Sequence, residues 1–168
     1  MKYNLGCGFN YMLGYCNIDS DNKIKTDYVK DFNQENWTNG LRKSERILAY
    51  HVLEHLKNPI LFLKECEKLM YSDGKLIIKV PCVYNTNGFE DPTHIKYFTP
   101  ETFKHYFSND FKHYNTDKGL NLRIVKTKLI FENKIDHLKH LVTRVLFNYT
   151  LSLSFVKEIV VVLKKRVK

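Results

Sequence analysis

The chain has 168 residues and a mass of 20.0 kDa, one domain's length. Its 43% hydrophobic and 14% aromatic content excludes a disordered or fibrous protein, and four cysteines without a CxxC pair argue against a zinc ribbon. The net charge of +9 sits at one end: residues 1–110 carry 14 basic and 14 acidic side chains, residues 111–168 carry 13 and 4.

Tyr3 to Leu5 is a short apolar start that stops at Gly6-Cys7-Gly8. Cys16-Asn17-Ile18 reads as a second strand, ending in Asp19-Ser20-Asp21, and Thr26 to Val29 as a third, ending before Asp31. Arg46 to Tyr50 reads as a buried strand running into His51. A helix then starts with Asn58 as cap and Pro59 in its first turn, and its apolar residues recur at helical spacing to Leu69. Ser72-Asp73-Gly74 reads as a stop and turn. Lys75 to Val80 is a strand rich in β-branched residues, closed by Pro81. Thr99 caps another helix, running to about Phe107. Leu120 to Phe131 is a long strand, Ile135 to Tyr149 a helical stripe, and Phe155 to Leu163 a final strand.

Strands alternating with helices through the first two-thirds predict a parallel α/β sheet, and the two closing strands add an antiparallel edge. Residues 1–168 read as a single domain without repeat or linker. A basic amphipathic helical insertion lies at about 134–150, and a basic tail at 164–168 is expected to be frayed and solvated.

A strand ending in Gly-x-Gly at the carboxyl edge of such a sheet lets a ligand approach the backbone closely. Leu5-Gly6-Cys7-Gly8 fits that role, and Asp19, at the end of the next strand, can hydrogen-bond a ribose diol. Asp19 follows Gly8 by eleven residues. A dinucleotide site needs an interval of roughly 20 residues and a third glycine, so NAD fits poorly.

Asn4-Leu5-Gly6-Cys7-Gly8, Gly14-Tyr15-Cys16-Asn17-Ile18-Asp19, His51-Val52-Leu53-Glu54-His55 and Gly74-Lys75-Leu76-Ile77-Ile78 together resemble the class I S-adenosylmethionine-dependent methyltransferases, in a small variety with a compressed first crossover. Asp91-Pro92-Thr93-His94 and the stretch from Phe98 to Phe103 are similar to a segment of the same group, so the resemblance covers about residues 2–107. It implies a Rossmann-like, seven-stranded, mostly parallel sheet of order 3-2-1-4-5-7-6, with strand 7 antiparallel and helices on its flanks. It implies S-adenosylmethionine as cofactor. Gly6, Cys7 and Gly8 would border its methionyl part, Asp19 would hold its ribose hydroxyls, Asp31 and Phe32 would lie beside its adenine, and Tyr50 and His51 would line its reactive end.

Transfer of a methyl group from a sulfonium is an in-line displacement, and holding the acceptor about 3 Å from the methyl carbon is its main demand. A base is needed only where the acceptor must lose a proton, and histidine suits that task. His51 and His94 are the candidates, both expected in loops at the carboxyl edge of the sheet, with Asp91 orienting His94 or merely serving the turn before Pro92. His55 reads as a packing or capping residue. The spacing of His51 and His55 also suits a metal, with Asp91 or His94 as further ligands, but no HExxH or cysteine cluster supports one and none is expected. Cys82, after Pro81, reads as a small buried hydrophobe rather than a nucleophile. The fourth strand ends in Tyr50-His51-Val52-Leu53, without the Asp/Asn-Pro-Pro-aromatic motif of amino-directed DNA methyltransferases.

These residues predict methyl transfer to oxygen or nitrogen of a small molecule or glycan. The rival reading is a degenerate cofactor-binding subunit whose basic carboxyl-terminal third meets nucleic acid or an acidic protein. The stripe from Ile135 to Tyr149 suits a substrate cover, a homodimer contact or an anionic surface; its ordinary reading is a helix packed on its own domain. The sequence shows no signal peptide and no apolar run long enough to span a membrane, so a cytoplasmic chain with reduced thiols is expected.

Overall fold

Short apolar runs form the inner strands here and are buried by the sheet and its flanking elements, while the two edge strands stay largely exposed. The computed structural model describes residues 1–107, 120–146 and 152–166. Its strands are β1 (Lys2–Leu5), β2 (Cys16–Asp19), β3 (Tyr28–Val29), β4 (Ser44–Tyr50), β5 (Met70–Pro81), β6 (Leu122–Ile130) and β7 (Glu158–Lys165). Its helices are α1 (Pro59–Leu69), α2 (Pro100–Phe107) and α3 (Lys134–Leu146). They form one seven-stranded sheet of order β3-β2-β1-β4-β5-β7-β6. β1 to β5 pair in parallel, and β7 runs antiparallel between β5 and β6. The expected order and the antiparallel strand are both present. The crossover from β1 to β2 is a turn-rich loop without a helix, as its length requires.

Helix starts follow local chemistry. The Asn58 side chain accepts from Leu61 N at 3.1 Å, with Pro59 in the first turn of α1. Thr99 Oγ1 accepts from Thr102 N at 3.1 Å, and Thr102 Oγ1 accepts from Thr99 N at 3.0 Å, a reciprocal cap for α2. The buried face of α1 carries Phe62, whose ring stacks on Trp37 with centroids 5.7 Å apart and meets the edge of Phe32 at 5.5 Å.

Three expectations are corrected. Ser72-Asp73-Gly74 is no turn: β5 runs through it, because the register jumps from Ser44 opposite Met70 to Arg46 opposite Lys75, and the extra residues bulge outward. Gly74 fits there because a Cβ would lie 2.8 Å from Ser44 O. The tail is not frayed through Arg166: Lys164 and Lys165 pair with β6, and Arg166 N donates to Asn121 O at 2.9 Å. Phe155 ends a 3-10 turn (Leu153–Phe155), and the last strand starts three residues later at Glu158. Tyr149 lies outside the described residues.

α3 does not bury its stripe. Ile135, Leu138, Leu141, Val142, Val145 and Leu146 are all exposed, and the one buried residue of the helix is His140. His140 Nδ1 lies 2.9 Å from Ser152 O, and its ring tilts on Phe131. All four cysteines are buried and free. No described helix is long and apolar enough to cross a membrane.

An ion pair under α1 sets one pH dependence. Glu65 is buried, accepts from Thr38 Oγ1 at 2.7 Å and pairs with Lys68 at 2.5 Å. Burial pushes its pKa up, but the Lys68 ammonium and the Thr38 hydroxyl outweigh burial and hold it below the usual 4.5. A carboxyl lowered in the folded state stabilises the fold above its unfolded pKa and loses that contribution as pH falls through the folded one. The urea midpoint is therefore expected to fall below about pH 4.5, and Glu65→Gln to flatten that fall. An equally steep acid loss in the variant would assign it to other carboxylates.

Candidate active site

In an open parallel sheet, the ligand crevice lies outside the carboxyl ends of the strands where strand order reverses. Here the reversal lies between β1 and β4, so Leu5 feeds Gly6 and Tyr50 feeds His51 into the same crevice. Two cavities open there. The larger, about 960 Å³, is lined by Gly6, Gly8, Asp19, Asp31, Phe32, His51 and His55 among others. The smaller, about 450 Å³, is lined by Asn4, Gly6, Cys7, Gly8, Tyr50, His51 and Lys79 among others. Gly6, Gly8 and His51 belong to both.

The glycine turn owes its shape to backbone conformations that side chains resist. Gly6 has φ +64° and Gly8 φ +48°, both left-handed. A Cβ at Gly6 would lie 2.4 Å from Val52 Cγ2, whereas a Cβ at Gly8 would meet nothing within 4 Å. Gly6 is thus needed for packing, and Gly8 leaves its backbone bare toward the cavities. Asp19 holds this turn: its Oδ2 accepts from Gly8 N at 2.8 Å, and its Oδ1 accepts from Asp21 N at 3.1 Å. Each carboxylate oxygen keeps a lone pair for a hydroxyl of a bound ligand.

A buried asparagine pair, Asn4 and Asn17, shapes the loop between β1 and β2. Asn4 Nδ2 donates to Asn17 Oδ1 and to Asn10 O, each at 2.9 Å. Asn17 in turn donates to Met12 O at 3.0 Å and to Tyr15 O at 2.9 Å. Both residues fall within the two motifs, yet sequence reading gave neither a role; the signal is two polar residues next to apolar ones in short strands.

His51 stands at the junction of the cavities in a strained conformation, φ +55°. Its Nδ1 lies 3.1 Å from Glu54 Oε1 and its Nε2 3.0 Å from Glu158 Oε1. Lys79 Nζ approaches the same Glu158 oxygen at 3.2 Å and lies 5.4 Å from the centroid of the Tyr50 ring. The hydrogen bond to Glu54 is the main reason that the His51 pKa is raised above 6.5. Sequence reading missed Glu54, Lys79 and Glu158. Glu158 enters from β7, far along the chain, so spacing carried no hint of it.

The other expected residues divide. Tyr50 and Cys7 line the smaller cavity, and burial pushes the Cys7 thiol up. Asp31 lines the larger one, and a hydrogen bond from Asn33 N at 2.9 Å is the first of the causes holding its carboxyl below the usual range. Phe32 backs the same cavity from the core, edge-on to Trp37 at 5.0 Å. His94 and Asp91 line neither cavity. His94 Nδ1 lies 2.9 Å from Gly88 O, its Nε2 lies 3.9 Å from Asp91 Oδ2, and its ring meets His55 edge-on at 4.9 Å.

The residues present fit S-adenosylmethionine, the cofactor that the resemblance implies. Gly8 has open space where a Cβ would stand, the Asp19 carboxylate keeps lone pairs free, and Phe32 gives the larger cavity an apolar wall, features that would suit the cofactor's methionyl, ribose and adenine parts in turn.

Residues 5–111 match the family model described as a methyltransferase domain. No curated protein matches the chain. Among solved structures, an S-adenosylmethionine-dependent methyltransferase from Archaeoglobus fulgidus is similar at 18% identity and TM-score 0.61, covering 98% of this chain and 85% of that one. A second, from Clostridium acetobutylicum, is similar at 11% identity and TM-score 0.62, covering 99% and 84%. A third is a complex of the Haloferax volcanii Trm112 methyltransferase activator with a putative methyltransferase, at 11% identity and TM-score 0.61, covering 99% and 82%.

Proposed function

The chain belongs to the methyltransferase-domain family, and from that premise we propose that it transfers a methyl group from S-adenosylmethionine to oxygen or nitrogen of a small molecule or glycan. One observation carries the reading: two cavities meet at Gly6, Gly8 and His51. The larger takes the cofactor and the smaller the acceptor, so the acceptor reaches the crevice beside the glycine turn. Bound there, the sulfonium supplies an electrophilic methyl group. The residues of this chain then have three tasks. Asp19 and the Gly6–Gly8 turn fix the cofactor. Tyr50 and Lys79 shape the acceptor side. With Nδ1–H held by Glu54, neutral His51 orients the acceptor atom and takes its proton at Nε2 once the acceptor displaces Glu158 from that nitrogen. His94 and Asp91 do not reach either cavity, so no step is given to them.

Calorimetry with S-adenosylmethionine and S-adenosylhomocysteine tests the cofactor half. Both are expected to bind with one site per chain. Asp19→Ala removes a charged acceptor worth about 1.5–3 kcal/mol, so Kd is expected to rise about 10- to 150-fold. Unchanged affinity in a folded variant would remove Asp19 from the site.

The exposed apolar face of α3, flanked by Lys134, Lys139 and Arg144, supports a partner in addition. An acidic protein, nucleic acid or a second copy of the chain would cover it. A chain that binds cofactor yet methylates no acceptor without such a partner would favour the subunit reading.

A further inference from the structure

We propose that Glu54, His55 and His94 form a binding site for a divalent transition-metal cation of the zinc class. One ligand atom from each of the three lies within 4.8 Å of the others. Two segments build the cluster. Glu54 and His55 close the 3-10 turn after β4, and His94 arrives on the stretch after β5. Ile95 N and Lys96 N both donate to Glu54 O, at 2.9 and 3.0 Å, which fixes one segment on the other.

Hydrogen bonding leaves this cluster rich in lone pairs. Gly88 O, 2.9 Å from His94 Nδ1, can only accept, so that nitrogen carries the proton and Nε2 keeps its lone pair. Thr93 Oγ1 gives its proton to Asp91 Oδ1 at 2.6 Å. It therefore accepts from His55 Nδ1 at 3.0 Å, and Thr93 O lies 3.3 Å from the same nitrogen. His55 Nε2 thus keeps its lone pair as well. Glu54 is fully buried; Oε1 serves His51, and Oε2 has no hydrogen-bond partner among the described residues. A buried carboxylate oxygen without a partner is costly, and the two imidazoles beside it, neither fully buried, offer lone pairs to the same cation. A cation satisfies all three.

The donor set selects the class. Two imidazoles and one carboxylate suit zinc and its transition-metal neighbours, whereas calcium and magnesium prefer oxygen. Ligating histidines usually donate their other ring N–H to a carbonyl or a carboxylate chain, and both rings already do. Zinc–nitrogen distances of about 2.0–2.1 Å put neighbouring ligands roughly 3.3 Å apart, so the cluster must contract by about 1.5 Å at most, within reach of side-chain rotation. Asp91 then acts through Thr93 as a positioning residue. The site adjoins the cofactor cavity, whose wall includes His55 and Thr93, but it does not depend on the methyltransferase reading.

The test is a titration of chelator-treated protein with Zn²⁺ by calorimetry and with Co²⁺ by visible absorption. We expect one equivalent of each, a Co²⁺ ligand-field spectrum with imidazole ligation, and a rise in Tm with Zn²⁺. His94→Ala and His55→Ala are each expected to weaken Zn²⁺ binding about 100-fold or more, and Asp91→Ala about tenfold. His94→Gln keeps a donor for Gly88 O and serves if the alanine variant unfolds; circular dichroism of the metal-free variants is the folding control. Absence of a stoichiometric Zn²⁺ site in the folded wild type would overturn the proposal and leave a shared proton between the three groups. So would Zn²⁺ binding that survives both histidine substitutions.

Discussion

Replacing His51 by alanine is expected to lower turnover by about 10²- to 10⁴-fold, the usual contribution of a positioned acid or base, or roughly 3–5 kcal/mol in the barrier. The reason is position. His51 is the ionisable side chain shared by both cavities, and it is held from both ring nitrogens by carboxylates. Alanine also strips Glu54 Oε1 of its partner in a fully buried place. His51→Asn separates the two effects. Asparagine tolerates the left-handed backbone at φ +55° and can still donate to Glu54, but it cannot take a proton. Turnover is to be measured with isotopically labelled S-adenosylmethionine on an acceptor found among hydroxylated and amino compounds and glycans. If asparagine lowers it as far as alanine does, proton acceptance is the role. Recovery in the asparagine variant would make His51 a positioning residue, and wild-type turnover in both would exclude it from the reaction.

Alanine at Gly6 and at Gly8 should fail in opposite ways. At Gly6 the backbone costs about 1–2 kcal/mol for a left-handed residue with a side chain. The Cβ, 2.4 Å from Cγ2 of buried Val52, adds about 1–3 kcal/mol of overpacking, and a β-branched neighbour has few rotamers with which to yield. Together these lower stability by about 2–5 kcal/mol, or Tm by roughly 5–20 °C. Gly8→Ala carries the backbone cost alone, because its Cβ meets nothing within 4 Å. Gly8 lines both cavities, so if the cofactor binds as proposed, affinity should fall while the fold persists. Thermal unfolding and calorimetry on both variants check the pair. Equal losses of stability at the two positions would contradict the assignment of packing to Gly6 and ligand space to Gly8.

Much of the candidate site was legible in the sequence because its first half is local. The Gly6–Gly8 turn, Asp19 and the Tyr50–His51 strand end fall within short motifs, and parallel strands bring successive strand ends to one edge. The strand order came from the resemblance to class I methyltransferases; the residues alone predict a parallel sheet from alternating elements and an antiparallel edge from the closing strands, which agrees with it. What escaped depends on partners distant in sequence. Glu158 reaches His51 only because β7 pairs with β5, and the roles of Glu54 and His94 appear only when the segment after β5 folds back on the turn after β4. Ser72-Asp73-Gly74 misled because turn residues also suit a bulge, and whether the chain reverses there depends on β4 alongside. The tail looked frayed by charge alone, yet alternate residues of β7 are buried, and its lysines extend that strand beside β6.

The place of β7 has a consequence for synthesis on the ribosome. β5 ends at Pro81, but the strand that covers its free edge begins only at Glu158. At about 5–20 residues per second, the intervening stretch takes roughly 4–15 s to emerge. Throughout that time β5 presents unpaired amides and carbonyls beside a row of buried-type side chains, Leu76, Ile78 and Val80. Such an edge is a template for pairing with another nascent chain. Topology therefore sets how long that edge stays uncovered during synthesis.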